Sequence, residues 1–120
     1  MRIDDTRPIW IQLADSFRAR ITDGTWKPGQ KIPSVRDLAI EAGTNPNTVQ
    51  RALAALDDEG LTVSKRTAGR FVATDDTALN ALRQEGARAA ADAFIRACRA
   101  LGVDVEGAHG LVDERWNADL

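Results

Sequence analysis

Residues 45 to 51 read Asn45-Pro46-Asn47-Thr48-Val49-Gln50-Arg51, and five of the seven carry side chains able to exchange hydrogen bonds in a groove. Amides and hydroxyls both donate and accept, so Asn, Gln and Thr suit the mixed donor and acceptor pattern of base edges, and Arg adds a fixed positive charge. The rest of the chain offers little competing chemistry. His109 is the one histidine and sits beside Gly110, a setting typical of a solvated turn or helix end. No His, Cys and carboxylate cluster has metal-ligand spacing. Thr67-Ala68-Gly69-Arg70 has a single glycine, unlike a phosphate-cradling loop. Cys98 has basic neighbours, Arg96 and Arg99, which can lower a thiol pKa; a buried, inert helix cysteine is the commoner outcome. Trp10, Trp26 and Trp116 suit packing better than a ligand pocket. The sequence predicts no catalytic residue, no metal and no cofactor, and so no enzyme.

The polar cluster opens a helix. Val35, Leu38, Ala39 and Ala42 fall at i, i+3, i+4 and i+7, and Val49, Ala52, Leu53 and Leu56 repeat that spacing. Ser34 is placed to cap the first helix, with Asp37 as a capping-box-like partner, and Gly43 to end it. Asn45 caps the second, Pro46 takes its first position, and Gly60 ends it. This spacing alone also fits an ordinary helical hairpin in a small core. It leaves Arg36, Asn47, Thr48, Gln50 and Arg51 off the apolar faces, as candidate DNA contacts of a helix-turn-helix.

The flanks sharpen that reading. Trp10, Leu13, Ala14, Phe17 and Ile21 share one face and predict a helix over 9–23. Pro28-Gly29 is a turn signal, Lys31-Ile32 a short extended segment, and Trp26 a strut between the first helix and the hairpin. Leu61-Thr62-Val63-Ser64 alternates as a half-buried strand does, and Phe71-Val72-Ala73 returns. The loop between them carries Lys65, Arg66 and Arg70. Three helices followed by a β-hairpin with a basic tip make a winged helix-turn-helix, whose tip lies near the minor groove or backbone.

Residues 7 to 73 resemble, almost continuously, the GntR family of bacterial transcriptional regulators. The likeness rests on Pro8-Ile9-Trp10-Ile11-Gln12-Leu13, on Gly24 through Ala39, and on Asn45-Pro46-Asn47-Thr48-Val49. Leu56, Glu59-Gly60-Leu61 and Gly69-Arg70-Phe71-Val72 complete it. The resemblance implies a winged-helix domain acting as a homodimer on a palindromic operator in double-stranded DNA, with repression by competition with polymerase as the expected outcome. Carried over position by position, it implies DNA contacts from Arg36, from Asn45, Asn47 and Thr48, from Gln50 and Arg51, and from Gly69 with Lys65, Arg66, Thr67 and Arg70 beside it. Pro46 departs from the base-reading Arg with which many relatives open this helix, so readout rests on other residues. Asn-Pro-Asn-Thr-Val resembles the YtrA-type subfamily.

The 120 residues divide by composition into a DNA-binding region, 1–74, and a helical region, 75–120, too short for the large ligand-binding domain of most such regulators. Residues 76 to 101 are rich in Ala and Leu, with Leu79, Leu82, Ala90, Phe94, Ala97 and Leu101 in helical register. Val103 to Leu120 reads as a second, shorter helix with Leu111 and Trp116 among its apolar residues, weakened by Gly107 and Gly110. The fold class expected is mainly α with a small β-hairpin: a winged helix-turn-helix plus a C-terminal two-helix dimerisation unit. A lone helical hairpin leaves apolar surface exposed, and pairing with a second copy buries it and matches two half-sites. The competing arrangement is a monomer whose tail folds back on its own winged helix.

The formal net charge is −2, which by itself argues against a nucleic-acid partner. The charge is uneven, however. Residues 1–73 hold 11 Lys or Arg and 9 Asp or Glu, whereas residues 74–120 hold 5 and 9. The mildly basic half is the half with the motif. The charged Met1-Arg2-Ile3-Asp4-Asp5 start is unlike a secretory leader, no stretch is as long and apolar as a membrane span, and one cysteine excludes an internal disulfide framework. All of this suits the bacterial cytoplasm. Two alternatives stay open: a winged helix used for protein contact, which would need an apolar patch on the recognition helix, and a regulator gated by a small effector, which the sequence neither identifies nor rules out.

Overall fold

A computed structural model describes residues 3–120. Its elements are α1 (Ile9–Thr22), α2 (Val35–Ala42), α3 (Pro46–Asp58), β1 (Thr62–Lys65), β2 (Gly69–Val72), α4 (Thr77–Leu101) and α5 (Val105–Arg115). The chain forms two compact units, one up to Ala81 and one from Leu82 to Leu120.

In the first unit, α3 is the central element and packs on α1, α2 and β1. Its Val49, Ala52, Leu53 and Leu56 are almost fully buried, against Leu13, Phe17 and Ile21 of α1 and Leu38 of α2 in the same core. The expected caps form. Ser34 Oγ accepts from the Asp37 N–H at 3.1 Å. Asn45 Oδ1 accepts from the Thr48 N–H at 2.9 Å, with Pro46 in the first turn, where its missing N–H costs nothing. Gly43 ends α2 at φ +66, and the Thr44 N–H donates back to the Ala39 carbonyl at 3.0 Å, turning the chain straight into α3.

β1 and β2 pair antiparallel with Thr62 opposite Val72 and Ser64 opposite Arg70. The extended segment expected at Lys31-Ile32 goes further than a linker. The Ile32 N–H donates to the Arg70 carbonyl and the Val72 N–H to the Gln30 carbonyl, both at 2.9 Å. The segment before α2 therefore lines the free edge of β2, and the wing is anchored on both sides. Trp26 is buried as the expected strut: its ring lies 5.5 Å from Phe17, and the Arg20 guanidinium lies 5.2 Å over it while pairing with Glu41 of α2. Asp75 Oδ1 accepts from the Thr77 N–H at 2.8 Å at the start of α4, and bonding from Thr77 holds its carboxyl below the usual range.

Leu79, read from sequence with the pairing residues, is instead buried in this unit. It lines a small cleft with Ile21, Leu61 and Val72, because the first turn of α4 closes the winged-helix core. In the second unit, α4 turns at Gly102-Val103 into α5, which Asp104 caps by accepting from the Gly107 N–H at 2.9 Å. α5 runs through both Gly107 and Gly110 despite their low helix propensity. Cys98 is buried, while Phe94, Ile95, Leu101, Val105, Leu111, Val112 and Trp116 are exposed. No helix among the described residues is long and apolar enough to cross a membrane.

Gly43 has open space around its missing β-carbon, so the cost of a side chain there is purely conformational. Gly43→Ala is expected to lower unfolding free energy by about 1–2 kcal/mol, the penalty of an L side chain in the left-handed region. Urea unfolding checks this, and an unchanged midpoint would contradict the turn geometry.

Candidate nucleic-acid interface

The same helical period that buries one side of α3 leaves Asn45, Asn47, Gln50 and Arg51 exposed on the other, with Thr48 half-buried. Arg36 of α2 is exposed, as is Arg66 at the wing tip. Among the described residues Arg36, Asn47, Gln50 and Arg66 spend no side-chain group on an internal hydrogen bond. Asn45 differs, since its Oδ1 also takes the Thr48 hydroxyl at 3.1 Å. Its acceptor is committed to the cap, which leaves the amide NH₂ for a ligand.

The remaining cations are held. The Arg51 guanidinium stacks 4.3 Å over the Trp10 ring, so Trp10 is half-buried where the sequence placed it on the core face of α1. Lys65 Nζ lies 4.8 Å over Phe71. Arg70 is not a loose wing cation: its Nε and Nη2 donate to the Asp57 carboxylate at 2.9–3.2 Å, and its side chain is only 13% exposed. Thr67 sits at the tip with φ +68, a strained conformation for a β-branched residue.

Several residues outside the sequence-based set shape the site. Lys31 lies against the wing, where a β-carbon built on Gly69 would come 2.9 Å from its Cε. A cleft of about 550 Å³ opens between the start of α2 and the wing, lined by Lys31, Ser34, Ser64, Lys65, Thr67 and Gly69 among others. Gln12 is buried and clamps the N-terminal segment: its amide donates to the carbonyls of Asp4 (2.7 Å) and Arg7 (2.8 Å) and accepts from the Asp4 N–H (2.9 Å). Glu59 takes a forked pair from Arg18 of α1 at 3.0–3.1 Å. Burial alone would make Arg18 easier to deprotonate, but Glu59 and then Asp15 outweigh it and raise its pKa. In the sequence, only the polar character of Gln12 at a core-spaced position and the acidic run at 57–59 hinted at these roles.

Internal pairing also explains how an acidic chain presents a basic face. Arg7, Arg18, Arg20 and Arg70 pair with Asp15, Glu59, Glu41 and Asp57. Among the described residues of the first unit this leaves Lys27, Lys31, Arg36, Arg51, Lys65 and Arg66 in no ion pair, and all but Lys27 lie on α2, α3, the wing or the segment that edges it.

The family model described as "Bacterial regulatory proteins, gntR family" matches residues 11–72, which span the helices and the wing. The chain belongs to the gntR family. Among relatives of this gntR-family protein, the HTH-type transcriptional regulator YhcF of Bacillus subtilis is 30% identical over 105 residues, covering 88% of this chain and 87% of that one. The HTH-type transcriptional repressor YtrA of the same organism is 38% identical over 65 residues, 54% of this chain; the match spans half the length of YtrA. A GntR family transcriptional regulator from Listeria monocytogenes superposes with TM-score 0.77 at 30% identity, over 93% of this chain and 98% of that one. The DNA-binding domain of AraR, solved in complex with its operator ORR3, superposes with TM-score 0.55 at 29% identity, over 61% of this chain and 88% of that one. The gntR-family chain is thus a DNA-binding transcriptional regulator with a winged helix-turn-helix, and as a member of a family of regulators it is not an enzyme.

Gly69 has φ +113, so Gly69→Ala is expected to cost about 1–3 kcal/mol of stability from backbone strain. The contact with Lys31 contributes little because the lysine end can swing aside. Adding Lys31→Ala should therefore leave most of the loss, and full recovery in thermal unfolding would show that crowding, not backbone strain, fixes this glycine.

Proposed function

We propose that this regulator binds a palindromic operator as a homodimer in the bacterial cytoplasm and represses transcription by competing with polymerase. The observation that carries the reading is the exposed, hydrogen-bonding first turn of α3, backed by a buried apolar face that fixes its orientation. Asn47, Thr48 and Gln50 meet base edges in the major groove, with the Asn45 amide and Arg51 at the margins of the same face. Arg36 reaches a base or phosphate from α2. Lys65, Arg66, Thr67 and Gly69 bring the wing to the minor groove and backbone. The polar character of this face speaks against a protein-contact role, which would need an apolar patch.

Residues 1–74 do the reading and residues 75–120 the pairing, apart from the first turn of α4, which closes the core of the first unit. Leu82, Ala90, Phe94, Ala97, Leu101, Leu111 and Trp116 supply the pairing surface. Its support is the exposed apolar run on α4 and α5, with Leu101 80% and Trp116 78% exposed, more than a small helical unit leaves to water without reason. Leu79 drops out of this set because its own unit already buries it. The repressor reading draws on YtrA, which carries that name.

Variants separate the roles. Asn47→Ala and Gln50→Ala should each weaken operator binding by about 1–3 kcal/mol and relax preference at one base position per half-site. Arg66→Ala should weaken operator and scrambled DNA alike and lower the slope of log K on log salt by about 1. Fluorescence anisotropy titrations over a range of salt measure both, and equal, sequence-blind losses from all three variants would defeat the assignment.

A further inference from the structure

One carboxylate at the end of α3 gathers three side chains of the wing. Asp57 accepts from Arg70 Nε and Nη2 at 2.9–3.2 Å, from Ser64 Oγ at 3.2 Å and from the buried Thr62 hydroxyl. The sheet makes this possible. Thr62 and Ser64 lie two residues apart on β1 and so share a face, and Arg70 is paired directly opposite Ser64. All three therefore point at the last turn of α3, and both carboxylate oxygens are used.

From this geometry we propose that Asp57 and Arg70 are positioning residues that lock the wing to the recognition helix, and that Arg70 is not itself a DNA contact. The wing has no other charged tie to α3 among the described residues. A bidentate guanidinium–carboxylate pair fixes direction as well as distance, and direction is what a two-point reader needs. α3 enters one groove while the wing tip, built from Arg66 and Thr67, must arrive at a set place beside it. Breaking this tie leaves every contact residue present and the backbone pairing of β2 with Gln30–Ile32 in place, but loosens the direction of the tip.

The proposal rests on the DNA-reading role of α3 and the wing, and its test separates the two. The full chain is titrated with the duplex it selects from random DNA, for wild type, Asp57→Asn, Arg70→Ala and the double variant. Asp57→Asn keeps a side-chain oxygen for Thr62 and so favours a folded variant. The expected result is a roughly tenfold loss of operator affinity in each single variant, no further loss in the double, and an unchanged salt slope. If Arg70 were a phosphate contact, Arg70→Ala would flatten the slope by about 1 and Asp57→Asn, which removes a negative charge, would bind as well as wild type or better. That result, or wild-type affinity in both single variants, overturns the proposal. Amide hydrogen exchange supplies a readout independent of DNA. Asp57→Asn should speed exchange at Ile32, whose N–H donates to the Arg70 carbonyl, and at Ala68 in the wing turn, with α1 unchanged. Unaltered exchange at both amides removes the lock even if operator binding is found; a wild-type chain that selects no DNA removes the reading function while leaving the lock to be judged by exchange.

Discussion

α3 has to be core and reader at once, and the rest of the winged helix depends on that constraint. Thirteen residues in one helix must bury Val49, Ala52, Leu53 and Leu56 while holding Asn47 and Gln50 out. The helical period of 3.6 residues allows it, because the two sets fall on opposite sides. A helix with a buried stripe of this quality cannot roll without exposing apolar surface, at about 25 cal/mol per Å². The core therefore sets the angle at which the polar first turn meets a ligand. α1, α2 and β1 all pack on this helix, and each is oriented by it.

The two ends of α3 divide the remaining work. At the start, Asn45 and Pro46 fix where the helix begins, so the donors and acceptors of the next turn stand at defined positions. At the end, Asp57 and Glu59 spend their charge inside the unit, on Arg70 of the wing and Arg18 of α1. Such carboxylates would repel a phosphate backbone if left free. Pairing them turns an electrostatic liability into a frame and leaves Arg36, Arg51, Lys65 and Arg66 of the interface outside any ion pair. A chain with net charge −2 can in this way present a local positive field.

Most of the first unit was legible in the sequence because its signals are local. Apolar spacing located α1, α2 and α3; Ser34, Gly43, Asn45 and Pro46 punctuated them; and alternation on both sides of a polar loop gave the wing. The same spacing left Arg36, Asn47, Thr48, Gln50 and Arg51 off the apolar faces, and resemblance added Asn45, Thr67 and Gly69 to the candidate contacts. What the sequence hid is tertiary. Asp57 and Arg70 are thirteen residues apart, and nothing local says that a strand pairing brings Arg70 and Ser64 to one face over that carboxylate, so Arg70 reads as a free wing cation. Arg51 reads as free for the same reason, although Trp10, far away in the chain, lies under it. Leu79 fits the periodicity of the long helix and reads with its later apolar residues; only the fold shows that the first turn of α4 closes a different core. The edge contact of Gln30–Ile32 with β2 was equally invisible, since backbone pairing leaves little trace in side chains.

The most direct test of the central claim, that a rigidly oriented α3 reads base sequence, is selection of bound duplexes from random DNA by the 120-residue chain. A palindrome bound roughly 10³-fold or more above scrambled DNA is the predicted result, with information concentrated in two half-sites. Recovery of no preferred sequence, with binding that follows only salt, would contradict it and reduce α3 to an element of the core.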